Sequence, residues 1–243
     1  MAEVICCGSS SSGNGYILSC GGEHLIIELG VNFDEYRKIL NDKGGLMSVR
    51  GCLTSHLWGL HGDHSKYIPQ AQKYGLPVFS CKEVVDKYAG VTELRLGEAV
   101  MLGGFKVQPM EVPHSCQCYA YLIQNEQIGK LLFITDCVRF NYKIKGVNHV
   151  LCEANWCEEI LINNLCNDVE TRSHHEHHME LSDTIKALKN NYSPDLMTVG
   201  LLHLSNGNSD EKMFRQRVID ELGFDNVVVM NKGVTFPLQL SEF

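Results

Sequence analysis

The sequence predicts an α+β domain in which β-sheets are covered by helices. Three observations predict it. The first half is rich in short apolar runs separated by glycine turns, helical patterns interleave with further runs of the same kind, and no Pro/Gly/Ser linker, low-complexity tract or long charge run divides the 243 residues. Residues 1–243 therefore read as one domain. Hydrophobic residues make up 44% and charged residues 21% of the chain, so a sizeable core is expected.

Taken in order, the runs Glu3–Cys7, Tyr16–Cys20 and His24–Leu29 are short and apolar with glycine turns between them, as in a β-meander. Phe33–Leu40 follows with apolar residues at Phe33, Tyr36, Ile39 and Leu40, a helical stripe. Further strands are expected at Gly51–Thr54, Pro77–Ser80, Phe105–Val112, Cys118–Gln124, Leu131–Thr135, His149–Cys152, Met197–Leu202 and Asn226–Met230. Leu181, Ile185 and Leu188 share one stripe of a second helix. The segment Ser209–Leu222 has Asn208 as N-cap, Glu211 three residues later and Gly223 just past its end.

A net charge of -8, from 29 acidic and 21 basic side chains, argues against an extended cationic surface for gripping duplex DNA. A small phosphate-bearing substrate stays compatible, because bound divalent ions reverse the charge locally. No run approaches the roughly 20 apolar residues that a membrane span needs, and the start lacks the basic and apolar regions of a secretory signal. The 11 cysteines are scattered through apparent strands, where cysteine acts as a small apolar residue, so a reducing, cytoplasmic setting without disulfides is expected. Neither Cys6-Cys7 nor Cys116-Gln-Cys118 has CxxC spacing, and a structural zinc site built from cysteines is not expected.

The histidines carry more information. The segment Leu53-Thr-Ser-His-Leu-Trp-Gly-Leu-His-Gly-Asp-His64 follows an expected strand and places His56, His61, Asp63 and His64 in one loop. Imidazole and carboxylate are the usual ligands of zinc and related ions, and a loop at a strand end can aim several of them at one point. A solvated polar turn would explain one such histidine but not His-Gly-Asp-His after an apolar strand. Three more segments repeat the pattern of a strand ending in one ligand: Val112-Pro-His114, Ile134-Thr-Asp136 and Leu202-His203.

With these residues in place the sequence resembles the metallo-β-lactamase superfamily over nearly its whole length. The turn Gly8-Ser-Ser-Ser-Ser-Gly-Asn14 followed by Leu25-Ile-Ile-Glu-Leu-Gly30 resembles the YycJ/WalJ-like branch, with Glu28 where that branch has aspartate. Glu153-Ala-Asn155 and His178-Met-Glu-Leu-Ser182 resemble segments of those proteins and of tRNase Z. One departure stands out. The family has one residue between its first two histidines, whereas Leu57-Trp-Gly-Leu60 separates His56 from His61, so His56 reaches the metal only if the extra residues bulge outward. The resemblance implies a four-layer αββα sandwich with the site at the edge between the sheets. It implies two divalent ions, one held by His56, His61 and His114, the other by Asp63, His64 and His203, with Asp136 bridging. Zinc suits these ligands best, and manganese or iron suits the same cage.

The implied chemistry is hydrolysis by metal-activated water, oriented by Asp63, with His178 as general acid. His178 lies in His174-His-Glu-His-His178, a cluster that could also be an exposed turn binding metals incidentally. Ser10, Ser115, Lys66 and Asn155 are the candidates for substrate contact, although Lys66 could equally be solvated. Glu153 is expected to orient a neighbouring group, His24 and His149 to be structural. Three functions fit: a phosphodiesterase acting on single-stranded nucleic acid or a small or cyclic nucleotide; a hydrolase of a lactone, thioester or lactam on the same site; and a binding protein whose site the insertion after His56 has impaired. A homodimer is the assembly the resemblance implies.

Overall fold

The computed structural model describes residues 2–10, 13–57, 64–165 and 176–240. Two seven-stranded sheets form the centre of the molecule. The first contains β1 (Glu3–Gly8), β2 (Gly15–Cys20), β3 (Glu23–Ile27), β4 (Val49–Leu53), β5 (Val78–Ser80), β6 (Val91–Glu93) and β14 (Thr235–Pro237), in the order β14-β1-β2-β3-β4-β5-β6. The second contains β7 (Val100–Leu102), β8 (Phe105–Val112), β9 (Cys118–Asn125), β10 (Gly129–Ile134), β11 (His149–Glu153), β12 (Thr198–Leu202) and β13 (Val227–Val229), in the order β13-β12-β11-β10-β9-β8-β7. The expected meander is present, since β1, β2 and β3 pair antiparallel in sequence order.

The period of two along β10 shows how the layers stack. Leu131 and Phe133 join a core that includes Ile5, Tyr16 and Ile26 of the first sheet, and the Phe133 ring meets that of Tyr16 edge-on at 5.4 Å. Leu132 and Ile134 point the other way, into a second core with α4 (Glu158–Asn164), α5 (Leu181–Asn191) and α6 (Glu211–Leu222). On the far side α1 (Phe33–Asn41), α2 (Ile68–Lys73) and α3 (Lys82–Lys87) add Phe33, Tyr36, Ile68 and Val84 to the core of the first sheet. Helices cover both outer faces, the four-layer αββα sandwich.

Strand direction decides where ligands gather. β10, β11 and β12 pair in parallel, and β8 shares their direction because β9 is antiparallel to both β8 and β10. The C-terminal ends of β8, β10, β11 and β12 therefore share one edge. In the first sheet β3 and β4 are parallel and β2 runs against β3, so the ends of β3 and β4 meet the start of β2. A bridge from His56 to Cys118 and the Tyr119 amide donating to the Ser55 carbonyl (2.9 Å) tie the two edges together.

Several elements differ from expectation. The cap of α6 is Asp210, whose side chain accepts from the Met213 amide, rather than Asn208, and the helix starts two residues later than expected; Gly223 closes it with a left-handed φ of 60°. Helices α2, α3 and α4, of six or seven residues each, and strands β6, β7 and β14, of three, were not expected.

Candidate metal centre

The shared edge delivers the expected ligands. His56 follows β4, His114 follows β8, Asp136 follows β10 and His203 follows β12, while His64 precedes α2. Ring centroids lie 4.5 Å apart for His56 and His64, 4.9 Å for His56 and His114, and 5.9 Å for His64 and His203. Asp136 bonds to both sides of this arc, with Oδ2 at 3.1 Å from His64 Nε2 and Oδ1 at 3.0 Å from His203 Nδ1. His61 and Asp63, together with Trp58, Gly59 and Leu60 of the insertion, lie outside the described residues. The insertion leaves His56 in the cluster all the same.

Buried polar groups aim these side chains. Glu28, wholly buried at the end of β3, accepts from the Ser55 amide (3.2 and 3.3 Å) and lies 3.5 Å from His64 Nδ1. Ser55 Oγ meets His56 Nδ1 at 2.7 Å, and His114 Nδ1 donates to the His177 carbonyl at 2.9 Å. Each of these contacts occupies Nδ1 and would leave Nε2 to face an ion, the usual way a neighbour orients a ligating histidine. Asn14, buried just before β2, accepts from the Ser10 amide through Oδ1 (3.0 Å). Its Nδ2 then lies 2.6 Å from His203 Nδ1 and 3.4 Å from Asp136 Oδ1. Among the described residues only Glu28 (φ 64°) and His203 (φ 52°) are non-glycine residues with left-handed backbone, and both face this edge.

Electrostatics follow from burial and pairing. Burial holds His56 well below the usual histidine range, and it lowers His114 as well, in each case against the opposing pull of Asp136. Burial also works against charge on His64, yet Asp136 and Glu28 outweigh it and raise that ring well above its ordinary value. Asp136 is held well below the carboxylate range: burial resists, but the charges and hydrogen bonds of His203 and His64 prevail.

A second group adjoins the first. Glu153 ends β11, and its Oε1 accepts from His178 Nδ1 at 2.5 Å while Oε2 accepts from the amides of Cys137 (2.9 Å) and Met179 (3.1 Å). The His178 ring lies 5.0 Å from that of His203 and 5.8 Å from that of His114. Burial opposes charge on His178, but Glu153 carries it up to about 9. The loop is laced to the end of β11: the Asn155 amide donates to the Met179 carbonyl (3.0 Å), and Trp156 Nε1 donates to the His178 carbonyl (3.0 Å). His174 and His175 lie outside the described residues.

Of the candidates for substrate contact, Asn155 is buried and donates through Nδ2 to the His203 carbonyl at 2.8 Å, which braces that ligand. Ser10 contributes its amide to Asn14. Ser115 is exposed beside His114, and the exposed Lys66 places its Nζ 5.7 Å from the centroid of the Tyr67 ring. A cleft of about 730 Å³ opens beside His114, with Lys82, Glu111, Cys116, Gln117 and Tyr142 in its walls. Sequence reasoning passed over Asn14 as a site residue, and Glu28 figured only as a departure from the branch. In the sequence Asn14, between Gly13 and Gly15, reads as turn chemistry, and only its burial in the structure sets it apart.

The donor set fits divalent metal. Ligand atoms of His56, His64 and Asp136 lie within 4.8 Å of one another; those of Asp136, Glu153, His178 and His203 do too, although Glu153 and His178 already bond to each other. Two sandwiched sheets with helices outside and a His/Asp edge define the class: this is the metallo-β-lactamase fold. Among solved structures the chain is similar to the metallo-β-lactamase fold protein YhfI of Bacillus subtilis (TM-score 0.71, 15% identity, covering 97% of this chain and 99% of that one). It is also similar to yeast PDE1 (TM-score 0.70, 10% identity, 98% and 99%) and to a diphosphatase of the PhnP family (TM-score 0.66, 14% identity, 97% and 96%). No protein-family model matches the chain, and no curated protein sequence matches it significantly.

Proposed function

We propose that this chain is a divalent-metal-dependent phosphodiesterase acting on a nucleotide or single-stranded nucleic acid. The observation that carries the reading is the Glu153–His178 pair set against the ligand arc, at 2.5 Å from carboxylate to imidazole and 5.0 Å from the His178 ring to that of His203. Divalent ions held by His56, His64, His114, Asp136 and His203, with His61 and Asp63 as the remaining expected ligands, would acidify water and draw charge from phosphoryl oxygens. Zinc is the expected ion.

Cleaving a phosphodiester also requires a proton for the departing alkoxide. Glu153 accepts from His178 Nδ1, so Nε2 is the nitrogen left to hold that proton toward substrate. Asp136 fixes His64 and His203, and Asn155 and Trp156 fasten the backbone of the two histidine loops. The cleft beside His114 offers room for a nucleoside, and Ser10, Ser115 and Lys66 are the remaining candidates for substrate contact. The similarity to yeast PDE1 and to a diphosphatase is in keeping with phosphoryl chemistry.

The test uses protein made without a histidine tag, assayed on bis-p-nitrophenyl phosphate, nitrocefin and a thioester. The phosphodiester should be cleaved fastest. On a dinucleotide, whose alkoxide must be protonated, His178→Ala should lower kcat roughly 10²–10⁴-fold with metal content unchanged, while bis-p-nitrophenyl phosphate, whose nitrophenolate needs no proton, should lose far less. Faster turnover of nitrocefin or the thioester would replace this reading with the lactam or thioester one. Less than one ion per chain and no turnover would favour a binding role.

A further inference from the structure

Cys116 stands two residues beyond His114, half-buried in the wall of the cleft. Its thiol donates weakly to the Leu57 carbonyl at 3.4 Å, beside His56 in the chain. Ligand atoms of His56, His114 and Cys116 all lie within 4.8 Å of one another. The Nδ1 atoms of both histidines already have partners, Ser55 Oγ and the His177 carbonyl, so both Nε2 atoms remain for a ligand. Two imidazoles and one sulfur around one point make a three-donor set of mixed nitrogen and sulfur character, without any help from His61.

We infer that Cys116 is a ligand of the metal held by His56 and His114, and that it makes this half of the centre selective for a thiophilic ion, zinc above all, over manganese. The inference rests on the metal-centre part of the proposed function. On binding, the thiol proton leaves to solvent and the sulfur lone pair forms the metal bond, with no change of oxidation state. Carboxylate and imidazole alone accept manganese, iron or zinc, whereas a thiolate favours the softer ions. This differs from a structural zinc site built from cysteines alone, because the sulfur joins histidines that open on the cleft.

The experiment is cobalt(II) substitution of the untagged, chelator-stripped protein, followed by absorption spectroscopy, with zinc-edge X-ray absorption of the wild-type protein beside it. Wild type should show a near-ultraviolet sulfur-to-cobalt charge-transfer band, and a zinc–sulfur distance of about 2.3 Å next to zinc–nitrogen distances of about 2.0–2.1 Å. Cys116→Ser should lose the band with its circular dichroism unchanged, while Cys118→Ser keeps it. Zinc affinity of Cys116→Ser should fall by at least about tenfold to a hundredfold, the loss typical even for a partner outside the ligand set, with manganese affinity little altered. No sulfur scatterer in the wild type, or a band that survives Cys116→Ser, overturns the inference. A band without phosphodiester cleavage overturns the proposed function and leaves Cys116 a ligand; cleavage without a band does the reverse.

Discussion

His149 and Asn14 show how differently a buried polar residue can serve the same molecule. His149 starts β11 wholly buried, and neither ring nitrogen makes a hydrogen bond. Burial pushes it down to about 4 from 6.5. The unfolded chain therefore takes up this proton first. The full contribution of neutral His149 is present above pH 6.5 and is lost as pH falls toward 4, up to about 3 kcal/mol over that window. His149→Leu should flatten the acid limb of a urea-unfolding series between those pH values; an unchanged slope would show that the ring titrates normally. Asn14 is the opposite case, a buried amide touching His203 and Asp136. Asn14→Ala should weaken metal binding about 10–100-fold by calorimetry while near-ultraviolet circular dichroism stays native. Its role was not legible in the sequence, because an asparagine between glycines reads as turn chemistry. The convergence of His56, His114, Asp136 and His203 was legible, because each closely follows an apolar strand. Cys116 was hidden for a different reason: His114 is two residues away, but the other partner, His56, lies in a distant segment, and a lone His-x-Cys reads as ordinary packing.

At the scale of elements, the turn between β1 and β2 positions Asn14 only because glycine allows it. Gly13 has φ 138°, and a Cβ there would lie 2.2 Å from the Gly30 carbonyl oxygen, backbone that cannot swing aside. Gly13→Ala should destabilise the fold by about 3 kcal/mol, seen as a lower denaturant midpoint, and should lower metal affinity with it. Native stability in that variant would mean the turn can move without disturbing the edge. Longer elements were legible through periodicity: α1, α5 and the eight-residue strands β8 and β9 each repeat their pattern often enough to be read. Helices α2 and α3 span six residues each, under two turns, too short to establish a stripe. Strands β6 and β14 sit at sheet edges with partly exposed side chains, so they carry little apolar signal.

At the scale of the molecule, the centre is a clamp between the two sheets. Glu28, His56 and His64 come from the first sheet and its loops, and His114, Asp136, Glu153, His178 and His203 from the second. Ions held there would bind the folded chain more tightly than the unfolded one. At 100 times Kd they should add about 2.7 kcal/mol of stability. Chelation should therefore lower the melting temperature, added zinc should restore it, and Asp136→Ala should abolish the response. A melting temperature indifferent to chelator would place no ion between the sheets.

The most direct measurement is anomalous diffraction at the zinc edge from crystals of untagged protein. Density should lie within bonding distance of His56, His114 and Cys116, and again beside His64, Asp136 and His203. A map with no peak at that edge, or with peaks only near the histidines around residue 175, would contradict a metal centre there.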